Sequence, residues 1–162
     1  HHCGEPLTRT KLLYPVGEKN YHSDGFISRQ WATMAHLFKH AFMVSVFGYG
    51  APTSDASAIA LLKEAWGSVD ERSMEEFEII DVREEDDLRE TWSPFIHSHH
   101  YRVKNTFYKS WIANHPRRTG EAYLNQFINA QFIANNPLPR DANFEDLWAW
   151  YDRLQEVEDA HT

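Results

Sequence analysis

The chain has 162 residues, of which 42% are hydrophobic and 14% aromatic, and its formal net charge is −8. That length and packing content fit one domain with a sizeable core and exclude a disordered chain, while the acidic balance opposes non-specific binding to nucleic acid or to an anionic membrane. No apolar stretch approaches the roughly 20 residues that span a bilayer, and a single cysteine with no visible signal peptide makes a reducing, cytoplasmic setting the expectation.

Residues 1–23 are punctuated by Gly4, Pro6, Pro15 and Gly17, and only "KLLYPV" suggests a short strand. From Asp24 the pattern changes. Phe26, Ile27, Trp31, Met34, Leu37 and Phe38 recur at helical spacing, with Ser23 or Asp24 as the cap. "AFMVSVFGYG" then has the length and the β-branched and aromatic content of a buried strand. Thr53 or Ser54 can cap the next helix, Asp55 falls in its first turn, and Gly67 stops it after Trp66. A second strand is expected in "FEIIDV", residues 77–82. Together these make a βαβ unit of about 40 residues, the form of a crossover in a parallel sheet.

Beyond this unit, "EEDDLRETWSPFI" reads as helix up to the break at Pro94. "HYRVKNTFYKSWIANHP" and "RTGEAYLNQFINAQFIANN" carry spaced aromatics and read as helices. "NFEDLWAWYDRLQEVEDA" is a last amphipathic helix with Asn143 as its cap.

The glycine turn "GYGAPTSD" is the first feature that points to a ligand. In open α/β sheets ligands sit beyond the carboxyl ends of the strands. Gly48 and Gly50 bracket such an end, and glycine lets backbone approach a ligand closely. The N–H groups that open the following helix favour a phosphate, and the hydroxyls of Thr53 and Ser54 can add hydrogen bonds. Asp55 would repel phosphate, so its expected roles are to cap the helix or to reach a ribose hydroxyl. Asp81 ends the next strand, where nucleotide-binding sheets place an acid on the ribose. The full G-x-G-x-x-G fingerprint is absent. A plain tight turn with a solvated strand-end acid is the simpler alternative.

The opening "HHCGEPL" is the second such feature. A zinc knuckle uses two cysteines two residues apart, then a glycine that permits the tight turn at the metal. His1 and His2 stand where the two intervening residues would be, and Cys3 stands where the second cysteine would be. One cysteine cannot supply the four ligands of a tetrahedral site. Zinc is therefore expected only in a longer chain that begins before the first cysteine. Two leading histidines are equally what a tag remnant would leave.

Taken together, "HHCGEPLTRTKLLYPV", the helix from Asp24, "VSVFGYGAPTSD" and "EIIDV" resemble the C-terminal half of the SIR2-like, or sirtuin-related, family. There a C-x-x-C-G knuckle leads through a proline-containing strand, a helix and an apolar strand to a Gly-Thr/Tyr-Ser phosphate loop. A further strand then ends in Asn or Asp at the adenosine ribose. The agreement covers about residues 1–84, and Gly50 stands where the family has serine. The resemblance implies NAD as ligand, held by Gly48, Gly50, Thr53, Ser54, Asp55 and Asp81, with Cys3 as a metal ligand. The intact protein would break the nicotinamide–ribose bond, as an NAD hydrolase or a protein deacylase. The family's first glycine-rich loop, Asn-x-Asp segment and catalytic histidine lie upstream of the knuckle. This chain is therefore expected to supply the adenosine side of the site, with the missing N-terminal half or a second copy as partner.

Other constellations carry less. His97 and His99 would share a face in an extended segment, but no third metal ligand is evident nearby, with only His115 and the N-terminal histidines as candidates in principle, so structural or surface histidines are the better reading. Arg117 and Arg118, followed by Thr119 as a cap, can grip an anion but fit an internal ion-pair anchor better. The series Phe107, Tyr108, Trp111, Tyr123, Phe127 and Phe132 is better read as core than as a base-stacking platform. No serine or cysteine stands in a nucleophile setting.

The expected fold is α/β: a Rossmann-like parallel sheet portion in residues 1–84, followed by a helical C-terminal extension in residues 85–162. The rival expectation for function is a non-catalytic interaction module that docks a partner through the aromatic C-terminal helices.

Overall fold

The computed structural model of the chain describes residues 24–159. Cys3 and the strand expected in "KLLYPV" lie outside the described residues. The fold is mixed α/β, built on a three-stranded parallel sheet in the order β1–β2–β3. The strands are β1 (Met43–Phe47), β2 (Glu76–Ile80) and β3 (Tyr101–Lys104). The register places Val44 beside Phe77 and Val46 beside Ile79, and then Phe77 beside Tyr101 and Ile79 beside Val103.

Helix α1 (Gly25–His40) precedes the sheet, and its cap is Asp24, whose carboxylate accepts the N–H groups of Phe26 and Ile27 at 2.8 and 3.1 Å. A 3-10 turn (Thr53–Asp55) leads into α2 (Ala56–Trp66), the crossover from β1 to β2. Gly67 ends it at φ +91°, a conformation that penalises any side chain. Helix α3 (Glu85–Trp92) is the crossover from β2 to β3, and its first turn carries Glu85, Asp86 and Asp87, where the helix dipole favours negative charge.

Alternation along the strands gives the sheet two unlike faces. One face is apolar: Phe77 and Ile79 pack with Trp66, Leu88, Trp92 and Phe95, and Val44, Val46, Tyr101 and Val103 join them. The indole N–H of Trp66 donates to the Phe95 carbonyl at 2.9 Å, so the polar atom of this buried ring is satisfied.

The other face carries Glu76 and Glu78, both buried on the middle strand. Here the structure departs from the expectation that "HYRVKNTFYKSWIANHP" is helical. "YRVK" is β3, because Tyr101 and Val103 face the apolar core while Arg102 and Lys104 alternate with them; four residues of period two are hidden among aromatics at near-helical spacing. The rest of that stretch is a 3-10 turn (Phe107–Lys109) and α4 (Trp111–Asn114). A short helix α5 (Thr119–Tyr123) passes into a π turn (Leu124–Ile128), and residues 129–143 have no regular structure. These pieces lay Trp111 and Tyr123 over the polar face, in a second cluster with Phe42 and Met43.

Helix α6 (Phe144–Asp159) closes the described chain. Asn143 and Asp146 cap it reciprocally: the Asp146 N–H donates to Asn143 Oδ1 at 3.0 Å, and the Asn143 N–H to Asp146 Oδ2 at 3.3 Å. Among the described residues, no helix is long and apolar enough to cross a membrane.

Candidate functional site

The carboxyl edge of the sheet gathers most of the residues that the sequence singled out. Phe47 and Ile80 are paired at the ends of β1 and β2, so Gly48 and Asp81 each follow one residue later on adjacent strands. Gly48 turns the chain at φ +74° with open space where a side chain would stand. Tyr49 then folds back: its ring meets Trp92 edge-on at 6.2 Å, and its hydroxyl donates to Asp55 Oδ2 at 3.1 Å. Ala51, at φ 44°, is buried in the apolar core, which fixes the loop from beneath. The Asp55 N–H donates to the Pro52 carbonyl at 2.8 Å and closes the 3-10 turn. Asp55 occupies the cap position of α2 without a side-chain cap bond, while Ser54 is exposed.

Asp81 sits opposite this loop. Its N–H donates to the Lys104 carbonyl at 3.0 Å, which ties the middle strand's end to β3. Its carboxylate accepts the Arg83 N–H at 3.0 Å on one oxygen, and Arg83 Nε and Nη2 at 3.1 and 2.8 Å on the other. Arg83 Nη2 also reaches the Gly50 carbonyl at 3.4 Å, so this guanidinium bridges the glycine turn and the strand-end acid. Its hydrogen bonds hold the Asp81 carboxyl below the ordinary aspartate value, against the opposing effect of burial, and the carboxylate raises the Arg83 value in return. The edge therefore offers an ionised acceptor, a partly exposed cation and, at Gly48, backbone with open space beside it, all within one loop cluster. Arg83 is the residue that sequence reasoning missed. Its only signal is its position two residues after Asp81.

The remaining candidates are placed elsewhere. His97 and His99 do not lie on one extended face: Ser98 is at φ 47° and the His100 N–H donates to the His97 carbonyl at 2.9 Å, so the segment turns sharply. No group of three or more metal-ligating side chains occurs among the described residues. Arg118, at the cap of α5, pairs with Glu121 three residues on in an exposed contact and not as the expected internal anchor, while Arg117 donates to the Leu154 carbonyl on α6. Thr119 donates its hydroxyl to the His115 carbonyl. Of the aromatic series, Trp111 and Tyr123 are buried, whereas Phe132 is 92% exposed.

The buried carboxylates of β2 are a second site invisible in the sequence, and their partners define them as structural. Glu76 pairs with Arg102 at 2.7 Å and accepts the Tyr123 hydroxyl at 3.0 Å. Burial, reinforced by the Glu76 charge, pushes the Tyr123 phenol up to about 12. Glu78, with no exposure at all, accepts the Trp111 N–H at 2.7 Å and the Ser45 hydroxyl at 3.0 Å. Each carboxylate oxygen on this face has a partner, and together these contacts tie the middle strand to β1, β3, α4 and α5. No protein-family model, curated protein or solved structure matches the chain.

Proposed function

We propose that this chain is the NAD-binding portion of a SIR2-like, NAD-consuming protein and holds the adenosine side of NAD at the carboxyl edge of a Rossmann-like sheet. The observation that carries the reading is the unit β1–α2–β2–α3–β3, whose strands are parallel and neighbours in chain order, with a glycine turn after the first strand and an acid after the second. Mononucleotide-binding halves of doubly wound sheets have this form, and ligands sit at that edge.

In this reading Gly48 and Gly50 let the backbone approach the diphosphate, with Thr53 and Ser54 adding hydroxyl donors. Asp81 accepts a ribose hydroxyl, and Arg83, released from part of its pairing, turns its guanidinium toward the phosphates. Asp55, held by Tyr49, is kept from the phosphates by that hydrogen bond. Cleavage of the nicotinamide–ribose bond, for NAD hydrolysis or lysine deacylation, falls to an upstream half that would supply the catalytic histidine.

The test is a thermal shift of the chain with millimolar NAD and ADP-ribose. A ligand at about 100 times its dissociation constant adds roughly 2.7 kcal/mol. A shift with ADP-ribose that disappears in Asp81→Ala supports the assignment; a shift equal in wild type and Asp81→Ala, or none in a chain extended upstream, overturns it.

One observation favours a second reading, that of an interaction module. Phe144, Trp148 and Tyr151 share one face of α6 by helical spacing, and they are 82%, 64% and 47% exposed. Partner capture that survives Gly50→Val and is lost in Trp148→Ala would support it.

A further inference from the structure

A cavity of about 870 Å3 lies between α5, the irregular segment after the π turn, and α6. Small-molecule sites commonly measure roughly 300–1,000 Å3. Its walls are tied to the rest of the fold. The Asn136 N–H donates to the Asn114 carbonyl at 2.9 Å and the Leu138 N–H to the Ala113 carbonyl at 2.8 Å, which pins the irregular segment to α4. Arg117 anchors α6 across the opening through the Leu154 carbonyl. None of Gly48, Gly50, Asp55 or Asp81 lines this space.

Two features of the lining call for a ligand. His115 is 5% exposed and stacks on Trp111 with ring centroids 3.7 Å apart, yet neither Nδ1 nor Nε2 has a hydrogen-bond partner. Buried polar side chains are rarely left unpartnered, and a neutral imidazole has one donor and one acceptor to satisfy. The lining is also cationic within an acidic chain: Arg117, Arg118 and Arg153 face it against Glu121 alone. Arg118 is paired with Glu121, whereas Arg153 has no ion-pair partner among the described residues.

We propose that this cavity binds a small organic anion, phosphorylated or carboxylated, whose acidic group pairs with Arg153 and whose neighbouring polar atom meets the imidazole of His115. The planar arginine fork suits either acid, since phosphate and carboxylate both accept two parallel N–H bonds. Burial holds the His115 value below the ordinary histidine range, so the ring enters this contact neutral, as a hydrogen-bonding group and not as a second cation. Trp150, on the α6 wall, supplies apolar area for the body of the ligand.

Calorimetric titration of the full chain with phenyl phosphate and, separately, with benzoate tests this. Saturable binding of phenyl phosphate alone identifies a phosphate ester as the ligand class, and binding of benzoate alone identifies a carboxylate. In either case Arg153→Met and His115→Phe should each weaken binding about tenfold, and Asp81→Ala should leave it unchanged. His115→Phe keeps the stacking on Trp111; if it fails to fold, Arg153→Met, at an exposed position on the cavity rim, decides alone. The proposal is overturned if neither probe binds at millimolar concentration, or if binding survives Arg153→Met at full strength. Because the nucleotide reading depends on Asp81 and this one does not, each can fail without the other.

Discussion

Glu78 Oε1 accepts the backbone N–H of Trp111 at 2.7 Å, a bond between the middle strand and a helix 33 residues further along the chain. With its other oxygen on Ser45, Glu78 joins β1, β2 and α4 at one buried point. Removing the carboxylate leaves the Trp111 N–H buried without an acceptor and opens a cavity. Glu78→Ala should therefore cost about 3 kcal/mol. Glu78→Gln should cost about 1 kcal/mol, because its carbonyl can keep Trp111 and its amide can donate to Ser45. Urea denaturation of the two variants measures the difference, and equal losses would mean that charge, and not acceptor geometry, holds the joint.

Arg72 performs a comparable task on the opposite face. Its guanidinium donates to the Phe38 and Lys39 carbonyls at 2.8 and 2.7 Å and to the Trp66 carbonyl at 2.8 Å, so one side chain satisfies the C-terminal ends of both α1 and α2. It also lies over the Trp66 ring at 4.2 Å. Arg72→Ala should destabilise the fold by roughly 2–3 kcal/mol. Arg72→Lys should recover little of it, since a single ammonium cannot span three divergent carbonyls. Hydrogen exchange should report faster opening in the last turns of α1 and α2 in both variants.

The elements legible in the sequence are those whose signals are local. Asp24, Gly67 and Asn143 mark helix ends where the structure has them, because caps act within three or four residues. β1 and β2 are bounded by the glycine turn and by turn residues, and both strands form. β3 was hidden because its alternation lasts four residues and sits among aromatics that mimic a helical stripe. The partners of Glu78, Arg72 and Arg83 were out of reach for another reason. Each has a partner 33 or 34 residues away, a distance over which composition and spacing carry no information. The same holds for the His115 cavity, whose walls come from α5, α6 and an irregular segment. Gly48, Gly50 and Asp81 were visible as types at strand ends, but not the guanidinium that links them.

That guanidinium makes a pH prediction at the carboxyl edge. The folded-state value of Asp81 is depressed, so the pair with Arg83 stabilises the protein above the unfolded aspartate value of about 3.9 and is lost as pH falls through the lower folded value. The pair is partly exposed, so its contribution should stay below about 1 kcal/mol. In Arg83→Ala the carboxyl of Asp81 should titrate closer to the ordinary value, as followed by carbon NMR of the side chain. An unchanged titration would remove Arg83 as the group that sets it.

His115 gives a prediction of the same sign at higher pH. Burial depresses its folded-state value, so the unfolded chain takes up a proton near pH 6.5, before the folded chain does. Stability should then fall as pH drops from about 7.5 toward 5.5, with a slope that cannot exceed about 1.36 kcal/mol per pH unit for this one group. The charged groups that line the same cavity are Arg117, Arg118, Glu121 and Arg153. His115→Phe removes the titrating group while keeping an aromatic ring on Trp111. The difference between wild type and variant in urea midpoint should therefore shift steadily in the variant's favour as pH is lowered. A constant difference would mean that the imidazole is protonated equally in both states, and that its two nitrogens are reached by solvent through the cavity.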